Sequence, residues 1–390
     1  MGEPGREQRV REEATWRRAT FLELFFDLVF VFALNQVSMR LINDFTTGHR
    51  LLFSEAAPTF LLFLALWMLW VSTVVLTSRV DPNSWPGQIA VFMTMAGGVV
   101  MAVAVAQGFE QRALVFAAAY VAARISRQLL NAIVRPAQRA PIPLKVSIVV
   151  GAVPWIVGAL VDDLLLRAVL WALALALEYG GFALGLGRTV GVPVAGEHLA
   201  ERLQQFFLIT LGEAVFVSGK ALSDSDFGIP HAAGFGLAFV SIVLLWRIYF
   251  YRAGAALPLA ITRARNPDRQ SVAVAGSHLL MIAGVVLAAV GFELDIIEPH
   301  GRPEPQWLIA ILGGPALFLA GRALIELQVF SRVSRSRLAG LFTLGLLIPA
   351  TWYAPPLTTG AAAATVLAAI AVWDAWRARG RELEPPAPRI

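Results

Sequence analysis

The stretch Phe21-Leu22-Glu23-Leu24-Phe25-Phe26-Asp27-Leu28-Val29-Phe30-Val31-Phe32-Ala33 decides the architecture. It is apolar apart from two carboxylates, and the apolar run continues to residue 42. That is the length of a membrane helix, about 20 residues. It lacks the sustained period-two alternation of a barrel strand. Helical geometry puts Glu23 and Asp27, four apart, on one face, with Ser38 near the same stripe and Asn35 beside it. Charge at hydrocarbon depth costs a few kcal/mol per residue or more, so both acids need a counter-charge or a wet cavity.

The rest of the chain repeats the pattern. Of 390 residues, 57% are hydrophobic and 15% charged, with mean hydropathy +0.66. An ordinary soluble domain is about 45–50% apolar and about 25% charged. A large soluble enzyme and a disordered chain are both excluded. Apolar runs bounded by charge, proline and glycine predict twelve spans. They lie at roughly 20–42, 56–77, 87–107, 112–134, 142–161 and 164–186, then 199–220, 232–252, 271–292, 306–330, 338–353 and 360–377. The eleventh is the least regular, with Pro349 near its end and Pro355-Pro356 after it.

Loop charge orients the set. Lys and Arg number 21 on the side of the N-terminus and 5 on the other. The positive-inside rule then places both termini in the cytoplasm of a bacterial inner membrane. The net charge of +5 and pI near 10.0 do not point to nucleic acid, because the basic residues are scattered over short loops and the ends. With no Cys there are no disulfides, thiolate metal sites or cysteine nucleophile, and 5 His are too few for a multi-His centre unless nearly all converge. The charged N-terminal stretch lacks a cleavable signal's small-residue site. No cofactor fingerprint, Walker loop, zincin motif or nucleophile elbow is present, so no metal and no cofactor are expected.

An internal repeat is visible. Asp27-Leu28-Val29-Phe30-Val31 returns as Glu213-Ala214-Val215-Phe216-Val217, and Gly98-Val99-Val100 returns at the same offset of 186 as Gly284-Val285-Val286. Ala123-Arg124 has a looser echo in Gly321-Arg322. The expected fold is all-α, a polytopic membrane protein with about twelve transmembrane helices in two six-helix pseudo-repeats. These are residues 20–190 and 191–378, between a cytoplasmic segment 1–19 and a tail 379–390. Six spans per copy relate the halves by an axis along the membrane normal.

The ionisable groups inside the spans are the candidate site. Besides Glu23 and Asp27, span four carries Arg124, Arg127, Gln128 and Asn131 on one face, and span ten carries Arg322 and Glu326 one turn apart. Span seven begins with His198, Glu201 and Arg202 and holds Glu213 deeper in, with Arg202 and Glu213 sharing a face. An oxygen-lined stripe can replace a hydration shell; equally, buried acids and bases can be packing ion pairs. The repeat suggests the pairs Asp27–Arg124 and Glu213–Arg322. His198 with Glu201 is a weak metal motif and reads better as an interfacial hydrogen-bonding group. His278 reads as a satisfied helix contact. Trp67, Trp70, Trp246, Tyr249 and Tyr251 read mainly as interface belts.

Residues 21–33, together with His198-Leu199-Ala200-Glu201-Arg202 followed by Leu211-Gly212-Glu213, resemble the signatures of the bacterial low temperature requirement protein A family. The Trp67/Trp70 span ending Ser78-Arg79-Val80-Asp81 also fits, and the resemblance runs from about residue 18 to 377. It implies a polytopic bacterial membrane protein and carries over Glu23, Asp27, His198, Glu201, Arg202 and Glu213 as signature residues without catalytic roles.

The leading expectation is a secondary transporter or permease for a small solute or ion, not an enzyme. Asp27 and Glu213 would form its central acidic pair, compensated by Arg124 and Arg322. The alternatives are an ion channel, a lipid-acting enzyme using Glu201, His198 and Arg202, or a structural or sensory membrane component. The partners are the lipid bilayer and that solute or ion; homo-oligomerisation is left open.

Overall fold

A computed structural model describes residues 18–47, 52–79, 81–134, 142–184, 195–301, 304–380 and 385–387, with the side chains of 47, 52–55, 128–134 and 142–150 outside the description. Among the described residues every regular element is a helix. The first six are α1 (Phe21–Thr47), α2 (Leu52–Thr77), α3 (Trp85–Ala104), α4 (Ala113–Val134), α5 (Ile142–Leu160) and α6 (Leu164–Ala183). Then come α7 (Gly196–Ser223), α8 (Ile229–Tyr249), α9 (Ala255–Thr262) and α10 (Pro267–Ile297). The last are α11 (Trp307–Ile311), α12 (Gly313–Phe330), α13 (Arg335–Ala350) and α14 (Pro356–Ala378).

Nine stretches among the described residues are long and apolar enough to cross a membrane: α1, α2, α3, α6, α7, α8 with α9, α10, α11 with α12, and α14. The chain is an all-helical, multi-pass membrane protein. The expected twelve spans are matched only in part. Arg124 and Arg127 lower the hydropathy of α4. Within α5 the apolar stretch is Gly151–Leu160. α13 has 16 residues, with Arg335 and Arg337 in its first turn and Pro349 near its end.

α1 shows why the bundle needs lipid. Phe21, Phe25, Leu28 and Phe32 form an exposed stripe at helical spacing, while Glu23, Asp27 and Ser38 are buried. Polar inside and apolar outside is the reverse of a soluble helix, and it is stable where the surroundings are hydrocarbon. Local signals set the helix starts. Ser84, Asp163 and Asn266 cap α3, α6 and α10 by accepting from the backbone N–H of Gly87, Leu166 and Arg269.

Two features place the centre of the bundle. α10 and α12 approach closely, because a Cβ at Gly284 would collide with the Phe318 backbone and one at Gly314 would press into Ala288. α7, α10 and α1 then pack against one another. The eighth expected span, 232–252, is not one continuous helix. It breaks at Phe250–Gly254, where Tyr251 (ψ 125°) and Arg252 (φ 50°) leave helical geometry, and α9 resumes beyond.

Candidate functional site

α1 and α7 meet through their buried faces in a constant register. Glu23 contacts His198, and Asp27 contacts Arg202, both at a sequence offset of 175. A constant offset with rising numbers on both chains means the two helices run parallel. The spacing explains the fit. The two acids are four apart on α1, His198 and Arg202 are four apart on α7, and one turn of each helix aligns acid with base.

Arg202 Nη2 donates to Asp27 Oδ1 at 2.7 Å, and Arg202 Nε lies 3.8 Å from Glu23 Oε1. Trp70 Nε1 on α2 also donates to Asp27 Oδ1, at 2.8 Å. The Trp70 ring stacks on Phe206, with centroids 4.1 Å apart. Glu23 Oε2 accepts from the Thr20 backbone N–H at 3.0 Å and lies 3.1 Å from His198 Nε2. His198 Nδ1 lies 3.0 Å from Ser78 Oγ, whose own proton goes to Val74 O. His198 is thus held through both ring nitrogens, by Glu23 and Ser78. The lock sets two acids against an arginine and an imidazole. All four side chains are at most 1% exposed.

Three turns further along the same contact the chemistry changes. Glu213, 1% exposed, faces Ser38 and Asn35 on α1, and Ser38 stands at the same offset of 175. Ser38 and Asn35 are the hydrogen-bonding side chains beside the Glu213 carboxylate, but neither Ser38 Oγ nor Asn35 Nδ2 makes a well-aligned hydrogen bond with it. The charged group that lies toward Glu213 is Glu293 on α10, itself an acid.

The expected pairs are corrected by this geometry. Asp27 pairs with Arg202, whereas Arg124 on α4 pairs with Glu178 of α6, which also accepts from Tyr120 Oη and Trp155 Nε1. Arg322 does not reach Glu213. It donates to the carbonyls of Ile248 (3.0 Å) and Tyr251 (2.7 Å), which the break after α8 releases from the helical ladder, and lies 3.6 Å from Glu326. Glu326 also meets Arg337, which in turn pairs with Asp374 of α14. Asp27 and Glu213 are not neighbours either, since the register sets them about 16 Å apart along the axis. Glu201 turns away from the lock, accepting from the Ala19 backbone and from Gln205. The side chains of Gln128 and Asn131 lie outside the described residues.

Sequence reading missed Trp70, Ser78, Glu178, Arg337 and Asp374 as partners. Trp67 and Trp70 are core residues and not a belt, because Asp27 draws the Trp70 N–H inward. The matching i, i+4 spacing of acids and bases at the starts of α1 and α7 was the available signal. His278 is satisfied as expected, with Tyr249 Oη at 2.7 Å and Val274 O at 2.9 Å. No group of three or more His, Asp or Glu able to hold a metal occurs among the described residues.

The family model of the bacterial low temperature requirement A protein matches residues 18–372. An uncharacterized protein of Rhizobium meliloti (strain 1021) is 33% identical over 381 residues, covering 93% of this chain and 90% of that one. No solved structure matches the chain. The matched span includes the residues of the α1–α7 contact, and the chain belongs to the bacterial low temperature requirement A protein family.

Proposed function

We propose that the protein is a secondary transporter or permease for a small solute or ion, with the α1–α7 contact as its centre. The observation that carries this reading is the state of Glu213. Six carboxylates are buried among the described residues. Glu23, Asp27, Glu178 and Glu326 each have an arginine within ion-pair distance. Asp295, near the end of α10 against Gly360, also has no cation partner among the described residues, and its Oδ1 is unbonded. Glu213 differs in sitting in the body of a membrane-length helix, with no cation beside it and no well-aligned hydrogen bond. An acid left in that state at membrane depth marks a pathway for protons, ions or solutes.

The arrangement into twelve helices and two repeats is part of the same reading. α3 against α4 and α10 against α12 are both glycine-mediated contacts, through Gly97 with Ala123 and Gly284 with Phe318. Arg124 and Arg322 occupy the matching second helices. The excess of Lys and Arg in the loops on the side of the N-terminus supports a cytoplasmic position for both termini. The break at Phe250–Gly254 adds a discontinuous helix of the kind that transporters use around their sites.

The test is flux. Purified protein in proteoliposomes is screened for electrogenic currents and internal pH change with alkali cations, carboxylates, amino acids and amines. Wild-type flux above empty vesicles, lost in Glu213→Gln with the protein still folded, is the expected result. The same flux in wild type, Glu213→Gln and empty vesicles across the whole screen overturns the reading.

A further inference from the structure

Most buried or half-buried helical serines in this protein return their hydroxyl proton to a carbonyl three or four residues back, as Ser72 does to Leu69, Ser218 to Ala214, Ser241 to Leu237 and Ser277 to Ala273. Ser38 does not. Its Oγ is fully buried and makes no hydrogen bond, although Leu34 stands four residues back. Asn35, one turn earlier on the same face, has an Nδ2 without a well-aligned acceptor. Opposite both stands Glu213, toward whose carboxylate the two side chains are the nearest hydrogen-bonding groups. Three polar side chains from two parallel helices thus converge on one carboxylate that has no cation beside it. A buried carboxylate in that state is costly, and a ligand that supplies positive charge removes the cost.

We propose that Glu213, Ser38 and Asn35 form a binding site for a dehydrated monovalent metal cation of the Na+ class, with a proton as its competitor on Glu213. The Glu213 carboxylate and Ser38 hydroxyl oxygens are hard donors that suit alkali cations, and a flip of the Asn35 amide exchanges its Nδ2 for a third oxygen. Charge selects the valence. One carboxylate belongs to the cluster itself; Glu293, the next acid, lies beside Lys220, which is paired with Asp224 at the end of α7. A single positive charge therefore brings the site to neutrality, whereas a divalent ion leaves an excess charge in a low-dielectric interior. Mg2+ is disfavoured further, because it dehydrates reluctantly and demands near-octahedral coordination, which three side chains do not supply. A proton on Glu213 removes the negative charge that binds the metal, so the two occupants exclude each other.

The inference deepens the transport reading and rests on it for its purpose, but its test needs no flux. The thermal midpoint of detergent-purified protein is measured against NaCl, LiCl and KCl at constant ionic strength with choline as the balancing cation. Radioactive sodium binding is measured on the same samples. We expect saturable Na+ stabilisation that weakens as pH falls and vanishes in Glu213→Gln. Ser38→Ala, which keeps the carboxylate, weakens apparent Na+ affinity by about fivefold, the scale of one lost polar contact. Folded wild-type protein that binds no sodium, and whose midpoint is the same in sodium and choline, overturns the site; Glu213 is then a plain protonated acid or a water ligand. Sodium binding that survives Glu213→Gln also overturns it. Flux without sodium binding removes this site and leaves transport standing, while sodium binding without flux does the reverse.

Discussion

One pair of helices carries two opposite electrostatic solutions. Near their N-terminal ends, α1 and α7 bury two acids that each meet a base, Arg202 or His198, with Trp70 of α2 and Ser78 just beyond it completing the set. Three turns along, the same two helices bury Glu213 opposite a serine and an asparagine, with no base within reach. Burial is equal at the two places, so burial alone does not separate structural charge from functional charge. Compensation does. A cluster whose acids each meet a base fixes helix register; a charge left open invites something that is not part of the chain.

The comparison breaks most visibly at Arg202. Arg202→Ala leaves Glu23 and Asp27 buried beside one histidine, and removing one partner of a buried pair costs about 3–5 kcal/mol. A large drop in thermal midpoint and in folded yield is expected; a midpoint near wild type would mean that the lock does not hold the bundle. Asp27→Asn keeps an acceptor for Trp70 but removes the charge opposite Arg202. Its expected loss is about 2 kcal/mol, the scale of a hydrogen bond to a charged group, read from the same melting curves. Glu213→Gln should move the other way. Replacing an uncompensated carboxylate with a neutral amide is expected to leave stability unchanged or raise it by up to about 1 kcal/mol in the absence of sodium. If Asp27→Asn and Glu213→Gln shift the midpoint by the same amount in the same direction, the two sites do not differ as described.

Much of the fold was legible because hydropathy and helical periodicity are local properties. The family stretches, the apolar face of α1, the satisfied role of His278 and the acids within the spans all follow from residues on one element. Partner choice is not local. The repeat suggested counting within each half, from Asp27 to Arg124 and from Glu213 to Arg322, whereas α1 meets α7 across the halves. Angular position on one helix does not reveal which helix stands opposite. Arg322 is instructive in a different way, because its partners are two backbone carbonyls exposed by a break that side-chain charge cannot announce. Gly254 and Pro258 were the available hints of that break. The unusual state of Ser38 could not be read at all, since an unbonded hydroxyl is a property of packing.

The common register of α1 and α7 has a mechanical consequence. Sliding one past the other by a turn would strip Arg202 from Asp27 and His198 from Glu23 together, so longitudinal slip is blocked. Splaying about the pinned end is not. Over the axial distance of about 16 Å to Glu213, a tilt of about 10° parts the helices by about 3 Å, the width of a water molecule. The ionic end is a pivot, and the far end is the jaw that it allows to open.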